Sequence, residues 1–146
     1  MAEHGDHSWL VDGMNVVGSR PDGWWRDRDG AARRLADELA AFAAATGDEV
    51  TVVFDGRPPR AAPPVGEGAV AVRWGAHADD EIVGLVAEAP EPSSFTVVTS
   101  DADLTRRVRE HGARVTGAGR FRRRLDAQAE PGGAEHARRV RGRPAG

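Results

Sequence analysis

The chain contains no cysteine and no lysine, and no apolar run long enough to span a bilayer. The first absence excludes disulfides, thiolate catalysis and zinc centres built on sulfur, so any metal must be held by oxygen or imidazole. The second makes all 20 basic side chains arginine. Arginine's planar fork suits phosphate, but a bias in codon usage gives the same uniformity, so it is weak evidence for a polyanionic ligand. With neither a spanning segment nor a basic leader followed by an apolar stretch, a cytoplasmic location is the expectation.

What is present describes a soluble globular protein: 146 residues, 40% hydrophobic and 29% charged, enough for one domain with a buried core. The net charge of −3 conceals a division, with residues 1–105 at −11 and residues 106–146 at +8. An acidic first part followed by a basic last part suits a metal site beside a surface that grips a polyanion, although basic tails are also common as solvated segments.

Punctuation and periodicity predict alternating strands and helices. Trp9-Leu10-Val11 reads as a buried strand ending at Asp12-Gly13, and residues 19–29 read as a loop. From Gly30, the apolar positions Ala32, Leu35, Leu39, Phe42 and Ala43 recur at helical spacing, with Asp29 as candidate N-cap and Gly47 as the stop. Residues 49–54 form a second predicted strand, and residues 56–68 a loop with four prolines and three glycines. A strand over 69–74, a helix over 78–88, a strand over 95–99, a helix over 104–111 and a strand over 113–116 complete the series, with a short helix over 120–125. Strands alternating with helices give an α/β fold of three layers, a parallel sheet of about five strands flanked by helices. The domain is expected to span residues 1–126, with residues 127–146 a disordered basic tail.

Four acidic islands stand where apolar strands end: Asp12, Asp55, the triplet Asp79-Asp80-Glu81, and Asp101 with Asp103. In a parallel sheet the carboxyl ends of the strands share one edge, so islands distant in sequence converge on one crevice. Two unit charges about 4 Å apart interact by roughly 4 kcal/mol at an effective dielectric near 20, so such a cluster calls for a cation. The pattern points to Mg2+ or Mn2+ and to hydrolysis of a phosphodiester by metal-activated water. Each island also has an ordinary structural reading: turns for Asp12-Gly13 and Asp55-Gly56, favourable helix-dipole placement for the triplet, and a capping box for Ser100 with Asp103. Helical geometry separates the triplet. If Ala78, Ile82, Leu85, Val86 and Ala89 face the core, Asp79 lies on the flank and Asp80 nearly opposite, which makes Asp79 the better ligand and Asp80 secondary. Asp101 is favoured as metal ligand with Asp103 the second from this island, Asn15 supports Asp12, and Asp55 and Ser100 are further contributors.

The segments Val11-Asp12-Gly13-Met14-Asn15-Val16, Val53-Phe54-Asp55-Gly56, Ala78-Asp79-Asp80-Glu81-Ile82 and Val98-Thr99-Ser100-Asp101 resemble, in order and approximate spacing, the NYN-domain, YacP-like nucleases of the PIN-like superfamily. The resemblance covers about residues 8–125. It implies a PIN-like fold, divalent-metal-dependent endoribonuclease activity, and metal-binding roles for Asp12, Asp79 and Asp101. The substrate expected is single-stranded RNA, mRNA included, with room for a ribosome or protein partner. His77 departs from the small hydroxyl residue expected there. The run Arg120, Arg122, Arg123 and Arg124 is more basic than the family pattern and is this chain's candidate grip on RNA.

Two other readings compete. Asp101-Ala102-Asp103-Leu104-Thr105 fits the nucleophile motif of haloacid-dehalogenase-type phosphatases, but those place it on their first strand. A non-catalytic RNA-binding adaptor could keep the same fold.

Overall fold

In the computed structural model, residues 7–20, 22–58 and 70–129 are described. Five strands, β1 (Ser8–Asp12), β2 (Glu49–Asp55), β3 (Val70–Gly75), β4 (Phe95–Val98) and β5 (Arg114–Thr116), form one sheet in the order β3-β2-β1-β4-β5. Every pairing is parallel. The helices are α1 (Gly13–Val17), α2 (Arg28–Thr46), α3 (Ala78–Glu88), α4 (Ala102–Glu110) and α5 (Ala118–Ala129).

Side-chain alternation along the strands divides the core in two. Trp9, Val11, Val52 and Phe54 face α1, α2 and α5, where they meet Leu35, Leu39, Phe42, Phe121 and Leu125. Leu10, Val53 and Val97 face α3 and α4, against Ile82, Val86, Leu104 and Val108. Trp9, Phe42 and Phe121 stack in mutual contact, with centroids 5.2 to 5.5 Å apart, and so tie α2 and α5 to the central strand. The chain leaves β1 for β2 and β3 on one side, then crosses over through α3 to β4 on the other. That reversal between β1 and β4 is the switch point at which open α/β sheets present a crevice.

The expected strand and helix order is observed, with local differences. The segment after Asp12 is helical at once, as α1, and a single 3-10 turn at Trp24–Arg26 interrupts the expected loop. Asp27, not Asp29, caps α2: its side chain accepts from the Gly30 N–H at 3.0 Å, and Asp29 occupies the first turn. Gly47 ends this helix at φ +80°, a left-handed conformation that favours glycine. Helix α5 is longer than the sequence suggests because Ala118, Phe121 and Leu125 make a buried stripe among arginines. It runs past Asp126 to Ala129. The remainder of the expected tail and most of the proline-rich loop, residues 59–69, lie outside the described residues. Among those described, no helix is long and apolar enough to cross a membrane.

Candidate active site

Asp12 is the last residue of β1, on the sheet face that Leu10 shares with α3 and α4. It is flanked by strands on both sides and is only 9% exposed. Its Oδ2 accepts a hydrogen bond from the Thr99 hydroxyl at 2.8 Å. The same Thr99 oxygen accepts from the Asp101 N–H at 3.1 Å, so one hydroxyl sets both the central carboxylate and the turn that carries the next one. Gly13 follows because α1 begins hard against the sheet: a Cβ there would stand 2.4 Å from the Phe54 ring.

Asp55 ends β2 on the same face. Its Oδ1 accepts from the Ala78 N–H at 3.0 Å and supplies the N-terminal cap that His77, preceding α3, does not. A carboxylate at the end of β2 therefore caps α3 in place of the His77 side chain. Asp79, in the first turn of α3, accepts the Asp80 N–H at 2.9 Å. Arg107 of α4 stands 3.6 Å from Asp79 and 3.0 Å from Asp80. Asp101 caps α4 through Oδ1, which accepts the Leu104 N–H at 2.8 Å. The side-chain oxygen of Asn15 accepts the Ser100 N–H at 2.8 Å, and this fastens α1 to the end of β4.

These residues line one open cleft of about 360 Å3 at the carboxyl edge of the sheet: Asp12, Asp55, Asp79 and Asp101, with Met14 and Asn15. Four carboxylates and no cationic side chain form its lining. Burial, followed by repulsion from Asp55, Asp101 and Asp79, pushes the Asp12 carboxyl up to about 6 from 3.8, against the Thr99 hydrogen bond that lowers it. Among the described residues no three acids or histidines converge into a compact metal cage. The acids ring the cleft instead.

Several residues expected at this site lie elsewhere. Asp103 is outside the cleft lining, paired with Arg106 at 2.7 Å, and the hydrogen bond from that guanidinium holds its carboxyl below the usual range. Asp80 is turned to Arg107. Ser100 does not start α4. Its Oγ accepts the Ala118 N–H at 2.9 Å and caps α5, a role that only the folded chain creates.

The arginine run divides in the same way. Arg122 is buried against Glu38 at 2.8 Å and Asp126 at 3.5 Å, so its charge is committed to acids of its own chain. Arg124 lies over the rings of Trp9 and Phe42, 5.3 Å from each, which places it toward the amino end of β1 and away from the cleft. Arg120 and Arg123 are exposed.

Thr99 is the residue that sequence reasoning missed. Val11 and Val98 are paired in adjacent parallel strands, so the next residues, Asp12 and Thr99, fall side by side; aligning the strand ends would have found the pair.

The family model of the YacP-like NYN domain matches residues 9–142. Two crystal structures of Rae1 (YacP) from Bacillus subtilis superpose on the chain. The tryptophan-to-leucine mutant has 26% identity and a TM-score of 0.70, covering 92% of this chain and 80% of that one. The other has 25% identity and a TM-score of 0.68, covering 91% and 79%. No curated protein matches the sequence.

Proposed function

Since the chain belongs to the YacP-like NYN-domain family, whose character is nuclease-like, we propose that it is a divalent-metal-dependent endoribonuclease that hydrolyses phosphodiester bonds of single-stranded RNA at the acidic cleft. One observation carries the reading: four carboxylates from β1, β2, α3 and the start of α4 face a common space with no cationic side chain in its lining. The Asp12 carboxyl is driven up to about 6 by burial and by its acidic neighbours, and that is the electrostatic condition a bound cation relieves.

Asp12, Asp79 and Asp101 would hold Mg2+ or Mn2+, with Asp55 as a further contributor. The spread of the acids suits a hard cation that retains several waters more than one enclosed by protein oxygens. Such a cation would polarise an attacking water and offset charge on the phosphate. The chain's own residues do the positioning. Thr99 orients Asp12, Asn15 ties α1 to the β4 turn, and the cap bonds of Asp55 and Asp101 fix one oxygen of each while the side chains still line the cleft.

The phosphatase reading loses support, because its second aspartate, Asp103, lies outside the cleft lining and Asp101 follows the fourth strand. The adaptor reading draws on the absence of a compact acidic cage among the described residues. Incubating purified protein with single-stranded RNA separates the two. Cleavage with Mg2+ or Mn2+ that chelator stops, and that Asp12→Asn and Asp101→Asn abolish, supports the nuclease. Binding without cleavage in either metal supports the adaptor.

A further inference from the structure

A second recess, of about 120 Å3, adjoins the acidic cleft and shares Met14 and Asp55 with it. Arg28, Asp29, Arg57 and Trp74 complete most of its lining. Arg20, Arg73, Arg106, Arg107 and Arg122 are all committed to acid partners. Arg28 and Arg57 have no hydrogen bond or ion pair among the described residues. Trp74, near the end of edge strand β3, is half-buried and rests on the fully buried Phe54, with centroids 4.8 Å apart and planes tilted by 32°. An indole backed by a buried ring offers a stacking platform to a base.

A cleft walled by four carboxylates repels a polyanion, so a strand that reaches it must be gripped from beside it. Single-stranded nucleic acid is held by cations that track phosphates and by aromatic rings on which bases stack. This recess provides both, contiguous with the cleft. With Asp29 and Asp55 also in the lining it has no net charge, which suits a stacked base with flanking phosphates better than a free anion.

We propose that the recess is a nucleotide subsite: a base of single-stranded RNA stacks on Trp74, Arg28 and Arg57 hold the adjoining phosphates, and the next phosphodiester is thereby laid over Asp12, Asp55, Asp79 and Asp101. The inference rests on the nuclease reading of the cleft. A base within a duplex is already stacked on its neighbours, so the subsite selects unpaired RNA.

The test is anisotropy of a labelled single-stranded oligoribonucleotide in Mg2+, in an Asp101→Asn background that prevents turnover. Trp74→Ala weakens binding roughly tenfold and Trp74→Phe much less, because a phenyl ring still stacks. Arg28→Gln and Arg57→Gln each lower the slope of log affinity against log salt by about 0.7. Arg57 is exposed in the loop after β2, so its substitution decides the matter even if Trp74→Ala fails to fold. Unchanged affinity in Trp74→Ala, or an unchanged salt slope in Arg57→Gln, overturns the subsite. Cleavage by the parent chain together with unaltered binding by these variants would sink the subsite and leave the nuclease. RNA held through Trp74 but never cut by the parent in Mn2+ would do the reverse.

Discussion

The Thr99 hydroxyl donates to the Asp12 carboxylate at 2.8 Å, joining residues 87 positions apart at the ends of neighbouring parallel strands. This hydrogen bond lowers the pKa of the most buried acid of the cleft. Burial and the facing carboxylates push that acid up, and Thr99 opposes them.

Thr99→Val should therefore raise the Asp12 pKa further and move the acid limb of any RNA-cleaving activity to higher pH. It also removes the acceptor of the Asp101 N–H, a loss of about 1 kcal/mol because water can reach that exposed residue. A pH–rate profile and a urea melt measure the two effects. An acid limb that stays in place would remove Thr99 from this role.

Asp12 makes a second prediction, for the metal-free chain. Its folded-state pKa of about 6 exceeds the ordinary 3.8, so between these values the folded chain holds a proton that the unfolded chain has lost. This group's contribution to stability then falls as pH rises from about 4 to about 6, by about 3 kcal/mol in all. Asp12→Asn cannot ionise. It should match the parent near pH 4 and exceed it in stability near pH 7.5, as read by urea melts. The parent should recover stability with Mg2+ and the variant should not. Equal stability of the two proteins at pH 7.5 would show that Asp12 carries no such penalty.

Asp55 combines a cap with a charge, and substitution separates them. Asp55→Asn keeps an oxygen for the Ala78 N–H and should change stability little, whereas Asp55→Ala uncaps α3 and costs about 1 kcal/mol. Both should weaken Mn2+ binding. Thermal melts and Mn2+ titration separate the two properties, and full Mn2+ affinity in both variants would confine Asp55 to capping.

Much of this was legible in the sequence, and the exceptions have physical causes. Apolar strand runs ending in aspartate, alternating with helical spacing, identify the parallel sheet, and strand ends of a parallel sheet must share an edge; hence the convergence of Asp12, Asp55, Asp79 and Asp101. Helical phase separated Asp79 from Asp80. Residues whose role depends on distant partners were not legible. Arg122 looks like part of a basic run until Glu38, 84 positions away, is found against it. Ser100 has the sequence context of a cap for α4, but Asp101 takes that place and the serine caps α5. Asp103 has Arg106 three residues on, a helical i,i+3 pairing that the sequence itself shows. His77 makes no side-chain cap bond, and the cap of α3 comes instead from Asp55 on β2, 23 positions before Ala78.

The account depends most on the cleft carboxylates acting together as a cation site. A crystal soaked in Mn2+ and measured at the manganese edge tests this directly. The expected result is anomalous density inside the cleft, about 2.0–2.3 Å from an oxygen of Asp12 and from Asp79 or Asp101, and its loss in Asp12→Asn. A cleft free of anomalous density at saturating Mn2+, or density that persists unchanged in Asp12→Asn, would contradict it.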